Sequence, residues 1–380
     1  MFPHYSFGTL ILYVVCALLS TLCLRISIKA KPLKGDTNYT GYLGLYVIYI
    51  LLAVLRYVGP YGLVGIDSYQ YETLFLNCLN SFTRFEEQDL LYGFLTKLIR
   101  HVTSNPVIFR FIWYSVIIFG YIFFIKTFSR RWISVIPFIA LMIPYLKSLN
   151  TMRSSIAAAV ILIGICLFYR KYKISGILLI ISAVFIHRMS IIFTLFIPFY
   201  WIFNKYKIAA SRTKLLAFSS VIIIIGYTLA IRLQSYVIAN NMLEGADMYY
   251  IQKTQGGNIF AGVVVLFPLV LILAMWLICQ KRIKKLHVNI PPLLTMMVIY
   301  DIILTPAAMI MGMWRANEYF LCARLMLWAY LIPVFLTFFK PETRNVVRLG
   351  FFFGFTGWLI YRILREWEPC GLMPYLFIWS

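Results

Sequence analysis

The chain is 380 residues long, 62% hydrophobic and only 13% charged, with apolar runs recurring from end to end. Such a composition excludes a soluble globular domain and describes an integral membrane protein with most of its mass in the bilayer. The formal net charge of +22 would suit nucleic acid, but Lys and Arg sit in short clusters between hydrophobic runs. That is the pattern of cytoplasmic loops, so no nucleic-acid partner is expected.

Residues 1–6 carry no positive charge, and the first basic cluster (Arg25, Lys29, Lys31, Lys34) follows the first apolar run, 7–24. The N-terminus is therefore expected outside and uncleaved. A second span, 41–58, leads to a long polar segment, 59–105, which carries Asp67, Glu72, Glu86, Glu87 and Asp89. Leu91, Phe94, Leu95, Leu98, Ile99 and Val102 recur at helical spacing, which predicts an amphipathic helix over about 85–102 on the outer surface. Spans follow at 106–125 and at 133–146, the latter short and interrupted by Pro137 and Pro144. The fifth and sixth spans are 154–169 and 174–187. The seventh, 190–203, meets the basic loop 204–214, and the eighth returns outward to residue 232. After a second outer loop, 233–258, come spans at 259–279, at 292–311 with Asp301 inside it, one ending at Lys340, and 347–363.

The expected fold is all-α: a polytopic single transmembrane domain over 1–380, with about 12 membrane helices and both termini outside. This arrangement puts 21 Lys/Arg and two acids inside, against 14 Lys/Arg and ten acids outside, a strong positive-inside bias. No internal repeat of the transporter kind is evident. The seven cysteines form no C-x-x-C pair and indicate neither a metal site nor a disulfide framework. Cys78 and Cys370 both fall on the outer side, where an oxidising compartment would allow them to pair.

The fifth and sixth spans organise the rest. At about 1.5 Å per residue they reach roughly 24 Å and 21 Å, against a hydrocarbon core of about 30 Å. Arg170, Lys171 and Lys173 pin their shared turn to the inner face. Their other ends, with Arg153 and with His187 and Arg188, then stop below the outer surface. Charges at that depth must face a water-filled or ligand-filled cavity, which is the expected active site.

Arg153, Arg188, Arg315 and Arg324 all fall at outer span ends or turns, where positive charge is disfavoured. Guanidinium forks onto phosphate oxygens, so the set suits a diphosphate; snorkelling to lipid headgroups would also explain each one singly. His187 suits a general base, or a histidine bonded to a carbonyl at a helix break. Asp67 suits a base or a sugar ligand beside Tyr69 and Tyr71, or a turn-forming aspartate. Asp301 suits pairing with an arginine or tyrosine inside the bundle.

Taken in order, G-I-D-S-Y-Q-Y-E, D-L-L-Y-G-F-L-T-K-L-I, L-N-T-M-R-S-S-I-A-A-A, R-K-Y-K-I-S, A-V-F-I-H-R-M-S and R-A-N-E-Y-F resemble the EpsG-like branch of the Wzy-type polysaccharide polymerases, over about residues 40–330. Two positions depart from that pattern: Asp89-Leu90 stands where Glu and an aromatic are frequent, and Ser154 where Gln is frequent. The resemblance implies a membrane glycosyltransferase on the outer face of the bacterial cytoplasmic membrane. It would join undecaprenyl-diphosphate-linked oligosaccharide units into O-antigen, capsule or exopolysaccharide. Its catalytic candidates are His187 and Asp67. Arg153, Arg188, Arg315 and Arg324 would bind diphosphate, and Tyr69, Tyr71 and Tyr319 would contact sugar. No metal or cofactor is implied; membrane lipids, a flippase and a chain-length regulator are the implied partners. A secondary transporter or lipid flippase, an O-antigen ligase and a membrane O-acyltransferase remain as alternatives.

Overall fold

The computed structural model describes residues 6–30, 39–59, 66–79, 89–206, 259–310 and 319–370, with isolated helical positions between 217 and 235. Every element among them is helical, and the chain divides into two compact units, Met1–Thr194 with Leu336–Ser380, and Leu195–Phe335. The first unit begins with α1 (Phe7–Lys29), α2 (Thr40–Val54), α3 (Ile66–Asn77), α4 (Leu90–Val102) and α5 (Pro106–Phe128). A 3-10 turn, Ile136–Leu141, continues into α6 (Met142–Ser148). Next come α7 (Met152–Tyr169), α8 (Lys173–Ile186), a 3-10 turn at Arg188–Ser190 and α9 (Ile191–Thr194). The second unit holds α10 (Phe196–Lys205), α11 (Ile259–Lys285), α12 (Pro292–Ile310) and α13 (Leu321–Leu336), before the chain returns to the first through α14 (Pro341–Cys370).

Among the described residues, four helices are long and apolar enough to cross a membrane: Phe7–Lys29, Pro106–Phe128, Met152–Tyr169 and Pro341–Arg365. Five shorter apolar helices accompany them. Their outward sides are apolar as well. In α8, Ile174, Leu178, Ile181 and Phe185 recur one helical turn apart and are all exposed, as lipid-facing side chains are. This is an all-helical membrane protein.

Local chemistry sets the boundaries. Asn105 caps α5 by accepting the Val107 N–H at 2.8 Å, and Pro106 occupies the first turn, where its missing N–H costs nothing. The apolar run 133–146 does not form one helix, because Pro137 and Pro144 start a 3-10 turn and then a short α-helix. The run 190–203 is likewise broken at Leu195, with α9 and α10 in different units. The amphipathic helix is present as α4, but it buries Tyr92, Gly93 and Thr96 and leaves Leu90, Phe94, Leu98 and Val102 exposed. Its apolar stripe therefore faces outward, as on an interfacial helix. Helix α3 lies within the segment read as polar loop. The outer loop 233–258 and most of the eighth span lie outside the described residues.

Helices α7 and α8 form a tight hairpin. The turn is closed by Lys171 at φ 76°, and the backbones cross at Gly164 and Gly176. A Cβ at Gly164 would lie 2.8 Å from the Gly176 carbonyl oxygen, and one at Gly176 would lie 2.6 Å from the Gly164 carbonyl oxygen. The α7 face of this hairpin is almost wholly buried, against α5 on one side and α8 on the other. The start of α7 and the end of α8 are thereby brought to the same end of the hairpin.

Candidate active site

At that end Arg153 sits in the first turn of α7, while His187 follows the last turn of α8 with extended backbone (φ −154°, ψ 108°). The chain then turns back, the Ser190 N–H donating to the His187 carbonyl at 2.8 Å. Between the two stands a third group, Asp89, immediately before α4 and 2% exposed.

One Asp89 oxygen, Oδ2, accepts from Arg153 Nη1 and lies 3.9 Å from His187 Nδ1. The other, Oδ1, accepts the Arg188 backbone N–H at 3.0 Å. Burial opposes charge on this carboxyl. The His187 imidazole, the Arg153 guanidinium and the Arg188 N–H outweigh that burial and hold it below the usual carboxylate range. Below the arginine, the Tyr71 ring lies 5.6 Å from the Arg153 guanidinium carbon and is edge-on to Tyr92, which stacks on Trp113.

A second buried ionic network borders this one. Arg56 donates through Nη2 to Ser68 Oγ and to the Leu149 carbonyl, both at 2.8 Å, and Arg110 donates to the Arg56 carbonyl. Arg110 Nε lies 3.3 Å from Glu72, whose carboxyl burial pushes up despite the two arginines. Asp67, in the first turn of α3, donates its N–H to Asn150 Oδ1 at 2.8 Å. The segment 149–151 thus fastens the start of α3 and leads directly into the helix that bears Arg153.

Of the residues singled out from sequence, the structure brings together Arg153, His187, Tyr71 and the backbone of Arg188, whose side chain is exposed. Asp67 is held by Asn150, and Tyr69 is exposed at 40%. Tyr71 is buried, with its ring beside the Arg153 guanidinium. In the second unit Arg324 Nε lies 2.5 Å from Asp301 Oδ2, both side chains buried, and Tyr319 is buried too. Arg315 lies outside the described residues, as does the side chain of Cys370; Cys78 is buried with its Sγ 3.1 Å from the Phe75 carbonyl. Among the described residues no group of three or more His, Cys, Asp or Glu is placed to hold a metal ion.

The residue that sequence reading passed over as a site is Asp89. Its signal was available: an acid one residue before an amphipathic helix. Chemically the cluster offers an imidazole for proton transfer, a carboxylate to orient it, and guanidinium for an anionic group.

Residues 39–377, about nine-tenths of the chain, match the pattern that defines one family. The chain belongs to the EpsG family. Its members are related to Wzy-like polysaccharide polymerases, so the function is polysaccharide-polymerase related and glycosyltransferase-like in general. No curated protein and no solved structure matches the chain. Within the EpsG match lie all of the Asp89, Arg153 and His187 cluster, the Arg56 network and the Asp301–Arg324 pair.

Proposed function

We propose that this EpsG-family chain polymerises oligosaccharide repeat units carried on undecaprenyl diphosphate, on the outer face of the bacterial cytoplasmic membrane. The convergence of Arg153, His187 and Asp89 at one end of the α7–α8 hairpin carries the reading. A hydroxyl of the incoming lipid-linked unit attacks the anomeric carbon of the growing chain, inverting it, and undecaprenyl diphosphate departs. His187 takes the hydroxyl proton; Arg153 and the exposed Arg188 receive the leaving diphosphate, whose own charge suits guanidinium in a poorly hydrated site. Tyr69, with its exposed ring, is assigned to sugar stacking.

Twelve spans with both termini outside complete the proposal. The basic turn of the α7–α8 hairpin (Arg170, Lys171, Lys173) favours placing the site at the opposite, outer end. Its test is reconstitution. Membrane vesicles holding the chain are supplied with lipid-linked repeat unit extracted from a strain that lacks it. Polymer ladders are the expected product, and persistence of the single unit would overturn the reading. For topology, Ala209→Cys and Tyr250→Cys in a cysteine-free background are treated with an impermeant thiol reagent from outside. Labelling of the second alone is expected; the reverse would invert the arrangement.

A further inference from the structure

The far end of α1 gathers positive charge from three parts of the first unit. Lys29, its last residue, donates through Nζ to the Arg131 carbonyl at 2.8 Å and to the Ile133 carbonyl at 2.7 Å, fastening the turn that follows α5. Arg25 stands one helical turn earlier on α1, and Arg131 belongs to the fastened turn. Helix α14 packs against both α1 and the 3-10 turn at Ile136–Leu141, and brings Arg348 to the same place. The charges of Arg25, Arg131 and Arg348 all act on the Lys29 ammonium, and all three side chains are exposed. Arg348 donates to Asn345 Oδ1 at 3.1 Å; among the described residues no carboxylate pairs with any of these cations, the exposed Glu342 in the first turn of α14 included. Scattered basic residues suffice to orient a membrane protein. Like charges held together from separate elements repel, and an anion among them removes that repulsion. Arg344, one turn before Arg348, adds a further cation at the positive end of the α14 dipole, where an anion is the favoured company.

Depth narrows the kind of anion. Helices α1 and α14 are both long and apolar enough to cross a membrane, so the cluster lies where their apolar faces give way to water. Exposed apolar side chains continue inward from it on each helix, Leu22 on α1 and Leu349 and Phe353 on α14. The Phe128 and Tyr169 rings, 4.9 Å apart, put the ends of α5 and α7 at this same end, opposite to Arg153 and His187. We propose that the cluster is a binding site for an anionic phospholipid, which joins α14 to α1 and to the turn at 129–133. Its phosphodiester accepts from the guanidinium groups of Arg25, Arg131 and Arg348, while Lys29 stays committed to its two carbonyls and contributes charge. Its acyl chains lie along the exposed apolar side chains below. A zwitterionic lipid would bring a cation of its own into the cluster, and a free phosphate would leave the apolar side chains uncovered. The site stands apart from the transfer reaction, and its occupant stabilises the fold.

The test uses the full chain purified in detergent. Mixed micelles of phosphatidylglycerol or of phosphatidylcholine are the lipid probes, and inorganic phosphate is the free anion. Phosphatidylglycerol should raise Tm by about 3 °C or more over phosphatidylcholine. Arg25→Gln with Arg131→Gln and Arg348→Gln should lose most of that rise. Removing as many charges from the end of α11, by Lys281→Gln with Lys284→Gln and Lys285→Gln, should keep it. An equal rise with both lipids, an undiminished rise in the cluster variant, or the same loss in the α11 variant overturns the site. A matching rise from inorganic phosphate at equal concentration overturns the lipid as its occupant. If the cluster variant does not accumulate, Arg131→Gln alone is read by the same comparison. If that also fails, native mass spectrometry of the wild type from an equimolar lipid mixture decides: preferential retention of phosphatidylglycerol is expected, and equal retention of the two lipids overturns the proposal.

Discussion

Two buried aspartate–arginine pairs, one in each compact unit, use the same chemistry in different settings. Asp301, in the middle of α12, meets Arg324, in the first turn of α13, Oδ2 to Nε at 2.5 Å, in a stretch where nearly every described neighbour is an apolar core residue. Asp89 and Arg153 meet where helices begin, and Asp89 shares its two oxygens among Arg153, the His187 imidazole and a backbone N–H. Asp301, at the middle of its helix, offers only its side chain, because its backbone groups are spent on the helix. Helix ends release backbone donors and gather side chains from several elements at one point. A pair of the first kind fastens two helices; one of the second kind ties a helix start, a helix end and a backbone N–H together at one point.

The largest expected effect lies on the imidazole. His187→Ala should leave a normally inserted protein and only single-repeat products, a loss of about 10² to 10⁴ in rate. Long polymer at matched expression would remove His187 from the chemistry. Next come the pairs themselves. Asp301→Ala should lower stability by about 3–5 kcal/mol, because it strands a buried guanidinium, and Asp301→Leu with Arg324→Met should recover most of that together with activity. The corresponding Asp89→Leu with Arg153→Met should fold and make no polymer. Thermal unfolding of the detergent-solubilised proteins, read beside polymer yield, checks both; an active Asp89/Arg153 double variant would erase the distinction. Smaller again is Arg153→Lys, expected to lose roughly tenfold or more for want of the fork. Arg212→Lys, in the basic loop, should be silent, and equal tolerance at both sites would return Arg153 to a lipid-headgroup role. Asp67→Asn should cost least, a few-fold, because it keeps the backbone N–H that donates to Asn150 Oδ1. A dead Asp67→Asn beside an active His187→Ala would transfer the base to Asp67.

The membrane helices were legible because hydrophobic runs and basic turns record the bilayer directly. The α7–α8 pair was legible for the same reason, although α7, read as too short to span, begins at Met152 and is long and apolar enough to cross a membrane. Asp89 was not, although it stands in a visible run with Glu86 and Glu87. The position of Asp89 rests on a contact with Arg188, 99 residues away, that no local pattern encodes. Helix α3 was read as loop because its sequence is polar. What shapes it is tertiary, with Arg56 on Ser68 and Asn150 on Asp67.

The crossing of Gly164 over Gly176 has its own bearing on how such a chain can drift. In most helices glycine to alanine is among the most benign changes, worth about 1 kcal/mol in favour of alanine. Here the added methyl would sit 2.8 Å or 2.6 Å from a carbonyl oxygen of the facing helix, so the usual preference is reversed at both positions. A saturation library over the hairpin should show Ile174, Leu178, Ile181 and Phe185 exchanging freely among apolar residues, beside two positions that accept nothing. Variation in this hairpin is therefore channelled outward to its lipid side. The spacing between its helices, and with it the reach from Arg153 to His187, is inherited almost unchanged.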